Sequence, residues 1–260
     1  MATKRISTVV VTAVVAAFGF FVRPLASNTD AVDNGLALTP PMGWNGFHYY
    51  VRDVTASIVE AQARALVSSG MKAAGYAYVN LDGGWDLLDR DAQGQLQPDP
   101  RKFPDGIKPV AAYIHSLGLK FGIYASLGTT NCAQSAAGSW GHYQQDADTF
   151  ASWGVDFVKV DWCAVPMDQF PGMTAEQVAQ TLYGQFGDAL RSAGRPMLYS
   201  LSTNTAKLAA WTWAPSVGNM WRTTGDVTDS YATMLGNFRS NATHYGAAGP
   251  GGWNDPDMLE

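Results

Sequence analysis

Short apolar segments alternate with longer amphipathic segments from Leu38 to the end of the chain. Apolar runs of about five residues bounded by turn residues are typical of buried strands, and apolar positions three and four residues apart are typical of helices. The pattern predicts seven strands, at Met42–Phe47, Tyr76–Leu81, Lys120–Ala125, Phe157–Asp161, Met197–Leu201, Asn219–Thr223 and Gly252–Asn254.

The segments between these strands have helical periodicity, for example at Val54–Gly70, Ile107–Leu117, Gln144–Trp153, Ala175–Ala193 and Ser230–Arg239. Four glycines stand where helix C-caps are expected: Gly70, Gly118, Gly154 and Gly194. Strands that alternate with helices form a parallel sheet, which indicates the α/β class. We therefore predict a (β/α)8 TIM barrel with about seven of its eight βα units, incomplete at its C-terminus.

The amino terminus has a different pattern. Lys4 and Arg5 precede an apolar run from about Ile6 to Val22, and Ser27 or Ala31 offers a cleavage position. This order predicts a secretory signal peptide and short leader over residues 1–31, followed by a barrel over residues 32–260. The location expected is extracellular, with no stable membrane association after cleavage. An uncleaved membrane anchor is the alternative.

Composition narrows the classes of function. Apolar residues make up 47% of the 260 residues and charged residues 15%, so the chain can bury a large core. The net charge of −5, with no basic run after the first few residues, disfavours a nucleic-acid partner. Nine Trp and eleven Tyr favour a carbohydrate site, because aromatic rings stack on the apolar faces of sugars. Cys132 and Cys163 could form a disulfide or remain buried thiols.

The segment Phe157–Cys163 carries the most specific chemistry. Asp161 stands at the carboxyl end of a predicted buried strand, which in an α/β barrel is the active face. Lys159 lies two residues earlier, on the same face of the strand, and would keep the Asp161 carboxylate ionised. An ionised carboxylate is the nucleophile of a retaining glycosidase. The alternative role for Asp161 is to cap the next helix.

Five blocks of sequence resemble the signature segments of glycoside hydrolase family 27, the α-galactosidase (melibiase) family. They are Thr39–Asn45, Lys120–Tyr124, Lys159–Cys163, Trp221–Asp226 and Gly251–Met258, and the match runs from about Leu36 to the end. The resemblance implies a retaining hydrolase of terminal α-linked sugars. It makes Asp161 the nucleophile and Asp226 the general acid/base, which we expect in a dry setting that raises its pKa.

The same resemblance supplies the rest of the site. It implies that six residues bind the sugar: Trp44, Asp82, Tyr124, Lys159, Arg222 and Asp257. Cys132 and Cys163 match the cysteines of the family's active-site disulfide. The expected partner is a carbohydrate substrate. We predict neither a cofactor nor a metal, because glycoside hydrolysis by carboxylates needs none.

Three departures fall where the family reads the sugar. The family's Asp-Asp-Cys-Trp block is here Asp82-Gly83-Gly84-Trp85, and the third strand ends at Ser126 where the family has Asp. The fifth strand ends in Ser202-Thr203-Asn204 where the family has a Cys-Glu-Trp block. We expect an α-galactosidase. The alternatives are an α-N-acetylgalactosaminidase or isomalto-dextranase of the same family, and a non-catalytic or inactive truncated carbohydrate-binding barrel.

Overall fold

The computed structural model describes residues 32–258. Its centre is a seven-stranded sheet in which the strands follow chain order and all neighbours are parallel. The strands are β1 (Gly43–Asn45), β2 (Tyr78–Leu81), β3 (Lys120–Ser126), β4 (Phe157–Asp161), β5 (Leu198–Ser202), β6 (Met220–Arg222) and β7 (Trp253–Asp255). All seven predicted strands are therefore present, with ends shifted by at most a few residues.

Six α-helices lie between the strands and follow five of them along the chain. They are α1 (Phe47–Tyr50), α2 (Ala56–Ser68), α3 (Ile107–Ser116), α4 (Tyr143–Trp153), α5 (Ala175–Ser192) and α6 (Tyr231–Ala242). Thr55, Thr174 and Ser230 begin α2, α5 and α6 by accepting a hydrogen bond from a backbone N–H of the first turn. The four predicted C-cap glycines all have left-handed backbone conformations.

Helix α1 corrects the sequence-based prediction, which placed Phe47 in the first strand. The strand ends at Asn45, whose side-chain Oδ1 accepts a hydrogen bond from the N–H of Phe47, 3.0 Å away. The chain then turns at Gly46 into a single helical turn. A local side chain–backbone bond of this kind competes with the strand ladder, and the apolar pattern alone does not reveal it.

The register of the sheet aligns the polar residues of neighbouring strands. Asp161 of β4 pairs with Ser126 of β3 and with Ser202 of β5. Lys159, two residues earlier, pairs with Tyr124 and Ser200 in the same way. Because side chains two residues apart point to the same face of a strand, these residues share the concave face of the sheet.

The sheet curls so that β1 and β7 approach the same interior space. A cavity of 540 Å³ is lined by residues of both edge strands, including Trp44 and Asp255. The segment before β1 ties the two edges together, because the carbonyl of Ala37 accepts hydrogen bonds from the Trp253 indole and the Gly251 N–H. The described chain is thus a curled parallel α/β sheet, as the barrel prediction required.

The predicted signal peptide lies outside the described residues. Among residues 32–258, no helix is both long enough and apolar enough to span a bilayer. The division into a leader and a barrel remains a prediction.

Candidate active site

A cavity of 150 Å³ opens at the carboxyl ends of the strands. Seven of the eight predicted catalytic and sugar-binding residues line it, namely Asp82, Tyr124, Lys159, Asp161, Arg222, Asp226 and Asp257. These residues come from the ends of five strands and the loops that follow them. The fold therefore brings together side chains that are up to 175 residues apart in sequence.

Lys159 is the central cation of this cavity. Its ammonium lies 2.9 Å from Oδ2 of Asp82 and 3.9 Å from Oδ1 of Asp161. Burial lowers the pKa of Lys159, but the two carboxylates outweigh burial, and the net shift is upward. The upward shift favours the charged form of Lys159, whose ammonium lies closer to Asp82 than to Asp161.

Asp82 is held as an anion. Burial raises its pKa, but the charge of Lys159 and hydrogen bonds from Asn45 and the Gly83 N–H outweigh burial, so the net shift is downward. The Asn45 amide donates to Oδ2 and the Gly83 N–H to Oδ1, each over 2.8 Å. The oxygens of Asp82 are thus fixed in direction, as a group that reads sugar hydroxyls requires.

Asp161 is less fully stabilised than Asp82. Burial raises its pKa, the nearby Asp82 charge adds to this, and Lys159 opposes both only in part. Its Oδ1 makes no hydrogen bond to any residue that the structure describes. We expected Lys159 to keep Asp161 ionised; Lys159 does favour the charged form, but its ammonium lies closer to Asp82 and the net shift of the Asp161 pKa is upward. When ionised, a buried carboxylate with an oxygen free of hydrogen bonds can act as a nucleophile.

Tyr124 stands next to Asp161. Its side chain is buried, and burial together with the negative charges of Asp161 and Asp82 raises the pKa of its hydroxyl well above the usual value. The phenol therefore keeps its proton. A protonated hydroxyl at this position can donate a hydrogen bond to the nucleophile or to a sugar oxygen.

Arg222 joins the loops after β6 and β7. Its guanidinium is 2% exposed and lies 2.7 Å from Asp226 Oδ1 and 3.0 Å from Asp257 Oδ1. Asp257 in turn accepts a hydrogen bond from the N–H of Val227, 2.7 Å away. The planar donors of Arg222 thus connect both carboxylates, and Asp257 fixes the backbone that carries Asp226.

The environment of Asp226 differs from the prediction. We expected a dry carboxyl group, but the Asp226 side chain is 68% exposed. It lies on the loop after β6, where its ion pair with the buried Arg222 ties it to the cavity and no described residue covers it. The structure brings Asp226 to the cavity without burying it.

Trp44 is the predicted sugar-binding residue that does not line this cavity. Its ring lies against Gly46, where an added Cβ would approach the ring to within 2.4 Å, and it meets Tyr50 edge to face. The ring lines the 540 Å³ interior space instead. The turn at Gly46 accounts for this, because it folds α1 back over the indole. Stacking of Trp44 on a sugar remains a prediction.

Cys132 and Cys163 form a disulfide at the edge of the cavity. The Cys132 sulfur lies 3.5 Å from Oδ2 of Asp161, and the amide nitrogen of Asn204 lies 3.6 and 3.7 Å from the two sulfurs. These cysteines and Asp161 are the one grouping within residues 32–258 with the spacing of a metal site. Because the disulfide removes both thiolates, it offers no metal site in this state.

The departures from the family pattern have different positions. Gly83 and Asn204 line the cavity, so two of its walls differ from the family's. Ser126 is turned away, since its hydroxyl donates to the backbone carbonyl of Thr130. Ser202 is fully buried, and its hydroxyl donates to Asn204 Oδ1 over 2.8 Å.

Sequence reasoning missed three residues of the site. Asn45 orients Asp82, and its place at the end of the Thr39–Asn45 block could have indicated this role. Asn204 bridges the fifth strand to the disulfide, which its position among the departures could have suggested. Arg52 lines the mouth of the cavity, and no motif marks it.

Comparison with known proteins agrees with this geometry. A family model described as Alpha galactosidase A matches residues 39–260. The α-galactosidase of Cyamopsis tetragonoloba is 44% identical over 232 residues, which cover 88% of this chain and 53% of the relative. The crystal structure of α-galactosidase I from Mortierella vinacea superposes with a TM-score of 0.80 at 38% identity, over 88% of this chain and 61% of that one.

A third relative was solved with a sugar. The structure of the α-galactosidase from Saccharomyces cerevisiae with raffinose has a TM-score of 0.76 and 30% identity, and covers 86% of this chain and 53% of that chain. The chain spans about half the length of the curated relatives it matches. The match nevertheless includes all seven strands and the whole site. The chain belongs to the α-galactosidase (melibiase) family, glycoside hydrolase family 27.

Proposed function

We propose that the protein is a secreted retaining glycoside hydrolase that releases terminal α-linked galactose. The observation that carries this proposal is the pair of carboxylates on one cavity: Asp161, buried beside Lys159, and Asp226, exposed at the rim beside Arg222. Two carboxyl groups with different environments are what a double displacement requires. The family membership supplies galactose as the expected sugar.

In the first step, a carboxylate oxygen of Asp161 attacks the anomeric carbon and the bond to the leaving oxygen breaks. Asp226 transfers its proton to that oxygen, so the leaving group departs as a neutral alcohol. In the second step, water gives a proton to Asp226 and attacks the same carbon, which frees Asp161. The product keeps the configuration of the substrate.

The remaining residues of the cavity bind the sugar in this proposal. Asp82 presents oriented acceptors, Lys159 a charged donor, and Arg222 holds Asp226 and Asp257 in place. The exposed position of Asp226 gives the attacking water of the second step access to its carboxylate. Residues 1–31 would direct the chain out of the cell, as their charge and apolar pattern suggest.

The test is hydrolysis of raffinose and of an aryl α-galactoside by the 260-residue chain. Asp161→Asn should lower turnover by about a thousandfold or more, because the amide is a poor nucleophile. Asp168→Asn, which changes an exposed carboxylate away from the cavity, is the matched control. An aryl α-N-acetylgalactosaminide and dextran test the other sugars. Turnover of either in place of galactosides would overturn the galactose assignment, and equal activity of Asp161→Asn would overturn the mechanism.

A further inference from the structure

Arg52 lies at the mouth of the cavity and takes no part in the proposed catalytic steps. It follows α1, and its side chain is exposed while it lines the same cavity as Asp161. Its backbone is firmly held, because the ammonium of Lys102 donates to the carbonyl of Arg52 over 2.5 Å and to that of Gly84 over 2.7 Å. Lys102 thus fastens the loop that carries Arg52 to the loop after β2.

Gly84 shows how close these two loops are. Its φ is +99°, and a Cβ there would lie 2.8 Å from the Cα of Arg52. Glycine is therefore required both for this backbone conformation and for the approach of Arg52. The neighbouring Gly83 faces the ring of Tyr124 and presents no carboxylate to the cavity. Arg52 is consequently anchored beside a wall that carries no negative charge of its own.

The other charges of the cavity lining are already paired. Lys159 binds Asp82 and Asp161, while Arg222 binds the two carboxylates of the later loops. The Arg52 guanidinium makes no hydrogen bond or ion pair with any residue between 32 and 258. It therefore has its five donors available to a ligand at the mouth.

We infer that the site accepts α-glycosides that carry an anionic group, and that Arg52 binds this group. The inference rests on the proposed function and extends it to a class of substrate. A guanidinium forms two parallel hydrogen bonds to a carboxylate, so a uronic acid is a fitting partner. The acid can be the terminal sugar itself or the residue next to the cleaved bond, and these two sources need separate probes.

The experiment measures binding of three 1-thio-α-glycosides, which resist hydrolysis, by calorimetry at pH 7. The probes are the neutral 4-carbamoylphenyl galactoside, the 4-carboxyphenyl galactoside and the 4-carbamoylphenyl galacturonide. One of the two anionic probes should bind about three- to fivefold more tightly than the neutral probe at low salt, the range of an exposed ion pair. The anionic probe that gains affinity identifies the position of the acid.

Three further readouts are predicted. The ratio of the affinities for the anionic and the neutral probe should fall toward one in high salt, because an exposed ion pair is screened. The preference for the anionic probe should disappear in Arg52→Gln and survive in part in Arg52→Lys. Lys108→Gln removes an exposed cation of α3 away from the cavity and should keep the preference.

The outcomes separate the two proposals. Equal binding of all three probes, or a preference that Arg52→Gln retains, would overturn the role of Arg52 and leave the galactosidase assignment standing. Binding of none of the probes would overturn the galactoside site itself and the inference with it. The salt dependence of the unsubstituted protein tests the inference independently of any variant.

Discussion

Asp161 and Asp82 share the ammonium group of Lys159, and the pKa values of the two carboxyl groups shift in opposite directions. Lys159 lies closer to Asp82, whose Oδ2 also accepts from Asn45 and whose Oδ1 accepts from the Gly83 N–H. Asp161 keeps one oxygen without a hydrogen bond among the described residues. The fold has already removed Asp161 from water. A carboxylate that is desolvated by folding loses less hydration energy when it attacks carbon.

Asp86, just beyond the site, is a second buried carboxyl group. Burial raises its pKa to about 7, a change that Arg90 and Lys102 oppose and Asp146 supports. Its Oδ1 has no hydrogen-bond partner within residues 32–258. Because its unfolded pKa is about 3.9, the folded state binds more protons between about pH 4 and pH 7. Stability is therefore highest at the acid end of this window and falls as pH rises.

We predict that Asp86→Asn makes the protein more stable than the unsubstituted chain at pH 8, by about 1–3 kcal/mol, and much less so at pH 5. The amide cannot ionise, so it avoids the cost of a buried charge. Thermal melts at both pH values measure the difference. Asp89→Asn, at an exposed carboxyl group, should not alter the pH dependence. An unchanged pH dependence in Asp86→Asn would contradict this account.

Helix α5 shows how an element is fixed by its ends and by one face. It spans 18 residues and buries Leu182, Tyr183 and Phe186 against the sheet. Its start is a capping box in which Thr174 Oγ1 accepts from the Gln177 N–H over 3.2 Å and Gln177 Oε1 accepts from the Thr174 N–H over 2.8 Å. The Tyr183 hydroxyl donates to the carbonyls of Val160 and Ser202. Helix α5 therefore supports β4, which carries Asp161, and the neighbouring β5.

The capping box gives a prediction at the scale of the helix. Thr174→Ala should destabilise the protein by about 1 kcal/mol, or about 2–4 °C in Tm, because the backbone N–H of Gln177 loses its partner. Thr181→Ala is the matched control, since the Thr181 hydroxyl bonds only to a carbonyl within the helix. That change should be neutral or slightly stabilising. Equal losses in both variants would show that the cap contributes nothing.

The sequence predicts best the elements in which apolar residues repeat with one clear spacing. The predicted bounds of strand β4 agree with the observed ones. The side chains of Val158 and Val160 point to one face of the sheet, and those of Lys159 and Asp161 point to the other. The two proposed catalytic carboxylates were predicted from the family resemblance and from their places after the fourth and sixth strands, and both line the cavity. The exposure of Asp226, the withdrawal of Trp44 and the position of Arg52 depend on how loops from different strands meet. No local pattern encodes that.

At the scale of the whole molecule, the parallel strands bring residues from distant segments to one site. The Cys132–Cys163 disulfide links two of the loops that form it. All seven strands end at the same rim, where Cys132 of the loop after β3 is joined to Cys163 after β4. The bond spans 31 residues, which in the chain-entropy model contributes about 3–4 kcal/mol. It also holds the Cys132 sulfur beside Asp161.

We therefore predict that Cys132→Ala with Cys163→Ala lowers the free energy of unfolding by about 3–4 kcal/mol in urea. A reducing agent should destabilise the unsubstituted chain by a similar amount and leave the double variant unchanged. Turnover should fall as well, because the loop that flanks Asp161 loses its support. Undiminished stability without the disulfide would contradict this role.

The central claim is that Asp161 forms a covalent bond to the sugar, and the stereochemistry of the first product tests it most directly. Proton NMR of aryl α-galactoside hydrolysis, recorded before mutarotation, should show α-galactose first, because two inversions restore the configuration. β-Galactose as the first product would mean a single displacement by water and would contradict the assignment of Asp161 as the nucleophile.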